Sequence, residues 1–213
     1  MKIENALTVR IKICGITNTE DAVAAAEFGA DAIGFVFAPS PRQISPEKAR
    51  EIIEALPPLV LTVGVFVDED PEVVASIAAF CHLDLLQFHG KESAAYCRRF
   101  GQRVIKAVRV QNQDRLERCS EYSSVVDALL LDTYAPDRCG GTGLTFDWHL
   151  ALEAKRYGRI ILAGGLNPDN VAAAIGVAKP YAVDASSGLE KKPGVKDHEK
   201  IARFIQTVRH VGR

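Results

Sequence analysis

An excess of charge of either sign is missing from this chain: Lys plus Arg number 26 against 27 for Asp plus Glu, a net charge of -1 over 213 residues. No global positive field exists to hold nucleic acid or an anionic membrane surface, so any anionic ligand has to be held by a local site. Long apolar runs are missing too. The longest nearly apolar stretch, residues 59–67, falls far short of the ~20 residues that cross a bilayer. The opening MKIENALTVRIKI is broken by Lys2, Glu4, Arg10 and Lys12 and does not read as a secretory signal. The cysteines (Cys14, Cys81, Cys97, Cys119 and Cys139) are odd in number and include no C-x-x-C pair. That argues against a disulfide framework or a zinc ribbon, and reduced thiols in a cytoplasmic protein are the expectation. No cluster of His, Asp and Glu has metal-ligand spacing. No linker, charge block or low-complexity tract divides the sequence, so a single domain over residues 1–213 is expected.

What is present is an alternation. Short apolar runs rich in β-branched residues begin near residues 9–13, 32–37, 60–67, 83–88, 104–108, 128–131, 160–163 and 182–184. Stretches of helical period fall between them, near 19–28, 46–55, 71–80, 92–100, 112–119, 147–156, 168–175 and 197–209. Thr19-Glu20-Asp21, Ser45-Pro46-Glu47 and Asn167-Pro168-Asp169 are start signals for three of these helices. Runs apolar throughout suit strands buried on both faces of a parallel sheet. Eight repeats of roughly 27 residues each leave room for a strand and a right-handed helical crossover, which predicts a (β/α)8 barrel. A doubly wound open sheet is the alternative. It would carry G-x-G-x-x-G after the first strand, where this chain has Cys14-Gly15-Ile16-Thr17.

In a parallel barrel the C-terminal ends of the strands share one rim, where ligands bind. The residues ending each run are Cys14-Gly15, Ser40-Pro41-Arg42, Asp68, Gln87 to Gly90, Arg109, Asp132, Gly164-Gly165, and Asp184 to Gly188. Glycines and titratable groups gather at these junctions, which favours an enzyme over an inert scaffold. Gly140-Gly141-Thr142-Gly143, Gly164-Gly165-Leu166 and Ser186-Ser187-Gly188 offer small residues that let backbone N–H groups approach a phosphate. The last two follow strands seven and eight, a frequent place for such a site. Taken singly, each Gly-Gly is a tight turn.

Cys81, Cys97 and Cys119 read as small buried hydrophobes on helices. Cys14 differs, because it ends a strand beside a glycine and faces the rim. Cys139 falls in the loop after strand six. Asp132 closes an apolar strand, where a carboxyl either caps a loop or acts as an acid. His89 is either a loop-fixing residue or a ligand contact. Lys106 is either a Schiff-base lysine or, the preferred reading, a paired interior charge. Asp68 and Asp70 read as a loop and a helix start, and Trp148 as packing.

The motifs Lys12-Ile13-Cys14-Gly15-Ile16-Thr17, Ser40-Pro41-Arg42, Gln87-Phe88-His89-Gly90, Leu131-Asp132 followed by Gly140-Gly141-Thr142-Gly143, Ala163-Gly164-Gly165-Leu166-Asn167-Pro168, and Asp184 to Gly188 together resemble the phosphoribosylanthranilate isomerase family. The resemblance runs from about residue 9 to about residue 200 in the family's order and spacing. Phe88 stands where the family usually has Leu, and Ala185 where Val is common. The resemblance implies the monofunctional form, acting in tryptophan biosynthesis through an Amadori rearrangement. N-(5-phosphoribosyl)anthranilate would become 1-(2-carboxyphenylamino)-1-deoxyribulose 5-phosphate without metal or organic cofactor. By the same resemblance Cys14 is the general base, Asp132 the general acid, and Arg42 the partner of the anthranilate carboxylate. His89, Gly143, Gly164, Gly165, Ser186, Ser187 and Gly188 complete the expected substrate site. A phosphorylated small molecule is the expected partner, with neither nucleic acid nor membrane, and the chain is expected as a monomer or homodimer. Two other readings stay open on the sequence. One is a different sugar-phosphate isomerase, epimerase or Schiff-base lyase on the same barrel, and the other a non-catalytic phosphate-binding barrel.

Overall fold

The computed structural model describes residues 8–109, 116–132 and 148–211. Strands β1 (Arg10–Cys14), β2 (Ala32–Val36), β3 (Leu61–Phe66), β4 (Leu85–Phe88), β5 (Arg103–Arg109), β6 (Ala128–Asp132), β7 (Ile160–Leu162) and β8 (Ala182–Ala185) pair in chain order. Every pairing is parallel and β8 closes on β1, as the repeat of the sequence predicts. Around the barrel lie α1 (Thr19–Phe28), α2 (Pro46–Glu54), α3 (Pro71–Cys81), α4 (Ala94–Cys97), α5 (Trp148–Ala154), α6 (Val171–Ala178) and α7 (His198–Val211).

Local chemistry sets the helix ends. The Asn18 side chain accepts from the Asp21 N–H, Ser45 caps α2 ahead of Pro46, and Asp70 accepts from Glu72 N–H to start α3. The third start signal behaves differently. Asn167 Oδ1 accepts from Asp169 N and Asn170 N at 2.9 and 3.1 Å, closing an Asx turn, and the helix begins only at Val171. Helix α4 is shorter than its period predicts because Ser93 caps it and Glu92 turns away to meet Lys106. In the segment expected as a helix over 112–119, the described part ends in a short 3-10 helix, Arg118–Tyr122. Residues 112–115 lie outside the described residues.

Strand residues alternate between two cores, since successive side chains point to opposite faces. One parity (Ile11, Ile13, Ile33, Phe35, Leu86, Phe88, Val104, Val108, Leu129, Leu131) meets the helices. The other (Val63, Leu85, Ile105, Ala107, Ala128, Leu130, Ile161, Ala163) fills the barrel. Each large side chain fully buried in these layers contributes ~1.5–3 kcal/mol. Three aspartates pin the N-terminal end. Asp31, Asp84 and Asp127, each just ahead of an even-numbered strand, accept the N–H of Ile11, Thr62 and Val104 at 2.8, 2.8 and 2.9 Å. Their own N–H groups donate back to the carbonyls of those residues at 2.9, 3.1 and 2.8 Å. After β8 the chain adds an antiparallel hairpin that the apolar pattern does not forecast, β9 (Glu190–Lys192) and β10 (Val195–Lys196), turning through Gly194 at φ 79°.

Candidate active site

The inward parity that fills the barrel with Leu and Ile turns polar at the C-terminal end. Lys12 and Cys14 on β1, Gln87 on β4, Asp132 on β6 and Asp184 on β8 all share it. Cys14, Gln87, Asp132 and Asp184 open into a cleft of about 330 Å³, within the ~300–1,000 Å³ range of small-molecule sites, with Lys12 buried beneath it. Cys14, Arg42, His89, Asp132, Gly164, Gly165, Ser186, Ser187 and Gly188 all line this one cleft. Gly143 and Cys139 lie outside the described residues. Cys81, Cys97 and Cys119 are buried in the helical layer, and burial pushes the last two thiols up to about 11.

Cys14 reaches its place because Gly34 faces it: a Cβ there would sit 2.8 Å from the thiol sulfur. Only 7% exposed, Cys14 is held above its ordinary pKa by burial. Lys12 and Lys196 pull the thiol down, whereas Asp184 pushes it up. The cations belong to a chain of alternating charge. Lys12 Nζ donates to Asp184 Oδ1 at 2.9 Å, and Lys196 Nζ to Glu190 Oε1 at 3.0 Å. Burial alone would lower Lys12, but Asp184 and Cys14 raise it on balance, while burial does lower Lys196 against the pull of Glu190. Glu190 in turn accepts from Arg42 Nε and Nη2, both at 2.7 Å. Burial would raise this carboxyl, yet Arg42 and Lys196 hold it below the ordinary range. Two of Arg42's five N–H groups are thus committed to Glu190, leaving the outer edge of its fork for other partners.

Opposite Cys14, Asp132 Oδ2 lies 3.1 Å from His89 Nε2, and His89 Nδ1 lies 3.1 Å from Gln87 Nε2. The turn that carries His89 is fixed from behind. Lys106 Nζ donates to the carbonyls of Phe88, Gly90 and Ala107 and to Glu92 Oε2 at 2.9–3.1 Å. Glu92 Oε1 accepts from Asp68 N, and both its oxygens accept from Gly90 N. Lys106 is therefore a paired interior charge with its ammonium fully engaged, which fits a Schiff-base nucleophile poorly. Gly164 and Gly165 sit at φ 87° and 66°, the left-handed region that glycine tolerates, so the chain after β7 bends without side chains blocking the cleft. Lys12, Glu190 and Lys196 were not among the expected site residues. Lys12 carried a signal, a charge at an inward position of an apolar strand. The hairpin residues carried none, because a short polar hairpin has neither strand alternation nor helical period.

The family model described as N-(5'phosphoribosyl)anthranilate (PRA) isomerase matches residues 11–207. The N-(5'-phosphoribosyl)anthranilate isomerase of Desulforudis audaxviator is 57% identical over 202 residues, covering 93% of this chain and 97% of that protein. A crystal structure of phosphoribosyl anthranilate isomerase from Thermotoga maritima superposes with a TM-score of 0.89 at 50% identity, covering 95% of this chain and 99% of that one. A crystal structure of the enzyme in complex with reduced 1-(o-carboxyphenylamino)-1-deoxyribulose 5-phosphate gives 0.86 at 47% identity, with the same two coverages of 95% and 99%.

Proposed function

We propose a division of labour among Cys14, Asp132 and Arg42 from one premise: the chain belongs to the N-(5'-phosphoribosyl)anthranilate isomerase family and is an isomerase of tryptophan biosynthesis. The observation that supports it best is one thiol and one carboxyl on the inward parity of β1 and β6, facing a shared cleft. Asp132, protonated when substrate enters, gives its proton to the furanose ring oxygen. The C1′–O bond breaks, and the nitrogen lone pair forms the iminium ion. Cys14, as thiolate, removes the C2′ proton, and the electrons of that C–H bond neutralise the iminium to an enolamine. The enolamine loses its hydroxyl proton and gains one at C1′, giving the aminoketose. The substrate has then gained and lost equal numbers of protons. Asp132 recovers its proton from solvent and Cys14 releases one, which resets the site. Positioned transfers of this kind each supply ~10²–10⁴-fold in rate.

Arg42 meets the anthranilate carboxylate with the edge of its guanidinium that Glu190 does not occupy, and Glu190 holds that edge toward the cleft. Gly165, Ser186, Ser187 and Gly188 receive the phosphate, whose charge suits backbone N–H groups on short-chain residues. The chain of charge from Asp184 through Lys12, and from Glu190 through Lys196, brings two cations to the thiol. They favour thiolate against the burial that disfavours it. The test follows the fluorescence of phosphoribosylanthranilate with purified protein. First-order loss proportional to enzyme is expected, with the aminoketose as product. Undiminished fluorescence beyond the spontaneous rate would overturn the proposal, and borohydride trapping of substrate on Lys106 would favour the lyase reading.

A further inference from the structure

Gln87 is 1% exposed, and its Oε1 has no hydrogen-bond partner among the described residues. Buried amides are ordinarily satisfied, so an orphaned oxygen on a side chain one ring removed from Asp132 calls for a reason. Its other end supplies one, because Nε2 faces His89 Nδ1 at 3.1 Å and His89 Nε2 faces Asp132 Oδ2 at 3.1 Å. We propose that Gln87 and His89 form an amide–imidazole relay that positions Asp132 in both of its protonation states, a role that rests on reading Asp132 as the general acid.

The hydrogen-bond logic allows two arrangements in which both ring nitrogens of His89 are paired. With Asp132 ionised, a neutral His89 carries its proton on Nε2 and donates to Oδ2, and Nδ1 accepts from the Gln87 amide nitrogen. That matches the orientation of the amide in the structure. With Asp132 protonated, its O–H donates to Nε2, so the ring proton resides on Nδ1 and needs an acceptor. Gln87 supplies one by turning its amide over, which brings Oε1 to the ring. The two arrangements differ by one proton, taken from solvent, and by the shift of the ring proton from Nε2 to Nδ1; nothing is oxidised or reduced. An amide presents a donor or an acceptor at the same spot by a half-turn about its last bond. Because Oε1 has no bond to lose among the described residues, the turn is decided by what the ring offers.

Charged groups pack around this pair. Lys106 and Glu92 are paired behind the turn, Asp68 packs against Gly90, and Arg109 lies in register with Asp132 across β5 and β6. Arg42 and Cys14 face it from the far side of the cleft.

The test uses the whole chain with ring-15N histidine, the His89 signals being identified by their loss in His89→Gln. The parent is expected in the Nε2–H tautomer where Asp132 is ionised. Gln87→Met keeps the volume and removes both the donor and the orphaned oxygen. It should lower kcat about tenfold, part of the ~10²–10⁴ of a positioned acid, leave KM within about twofold, and mix the two ring tautomers. Gln87→Leu repeats the measurement should the first variant fold poorly. A kcat within about twofold of the parent, or unchanged His89 ring shifts in a folded variant, overturns the relay. Asp132→Asn separates the two ideas. If it keeps near-parental turnover, the acid reading fails and takes the relay with it. If it is inactive while Gln87→Met behaves as the parent, only the relay fails.

Discussion

The two ends of the barrel use the same residue for opposite purposes. At the N-terminal end, Asp31, Asp84 and Asp127 each accept a strand N–H and return their own N–H to the same residue. Those carboxylates are matched to fixed backbone donors, with Arg10 and Arg209 added at Asp31. At the C-terminal end, Asp132 meets an imidazole and Asp184 an ammonium, side chains rather than backbone. The lesson is that position and partner together set what an aspartate can do: paired backbone bonds tie it to the strands at one end, and side-chain partners leave it facing the cleft at the other.

The strongest way to break this comparison is to disable the rim. Cys14→Ala and Asp132→Asn should each lower turnover by ~10²–10⁴-fold while the thermal midpoint stays near that of the parent. A loss of only a few-fold in either variant removes that residue from the chemistry. Arg42→Ala comes next. Hydrogen bonds to charged groups contribute ~1.5–3 kcal/mol, so kcat/KM should fall by roughly 10- to 150-fold, with partial rescue by Arg42→Lys. A substrate analogue without the carboxylate should lose little further in Arg42→Ala. Equal losses on both substrates would mean that the residue serves Glu190 or the loop instead.

The pH profile sharpens the contrast further. Because burial holds the Cys14 thiol above its ordinary value, thiolate accumulates only as pH rises, and the rate of iodoacetamide alkylation at Cys14 in the free protein should still be climbing at about pH 8.5. A plateau reached by neutrality would show that the lysines outweigh burial. The smallest effect on turnover belongs to the opposite end. Asp84→Ala removes the acceptor of the Thr62 N–H and should cost about 1–3 kcal/mol of stability, measured by urea unfolding. Turnover per folded molecule should be unchanged; a lower kcat there would break the division between the two ends.

The barrel was legible because its strands are buried on both faces, and a run such as Ala128-Leu129-Leu130-Leu131 has few other places in a soluble fold. Runs ending in Cys14 and Asp132 also pointed to the rim. What did not follow from pattern was pairing across the barrel. Nothing near Arg42 in sequence indicates that Glu190, 148 positions away, occupies half of its fork. The late start of α6 escaped for a local reason, since the side chain of Asn167 satisfies the N–H groups of the turn and delays the helix. His89 was legible as a rim residue, but its bond to Asp132 depended on the register of β4, β5 and β6.

The pinned joints described at the N-terminal end are not evenly spread. Each of the pairs β1–β2, β3–β4 and β5–β6 has its aspartate, but the corresponding position ahead of β8 is Tyr181, which supplies the backbone bond to Ile160 and no carboxylate. Mechanically, of the four seams that join an odd-numbered strand to the next even-numbered one, three are riveted and one is plain. The plain seam lies between the strands whose far ends carry Gly165 and Ser186. A phosphate gripped by both of those loops would act as the missing rivet, fastened from the opposite side, so that substrate itself would fasten the seam that lacks a carboxylate.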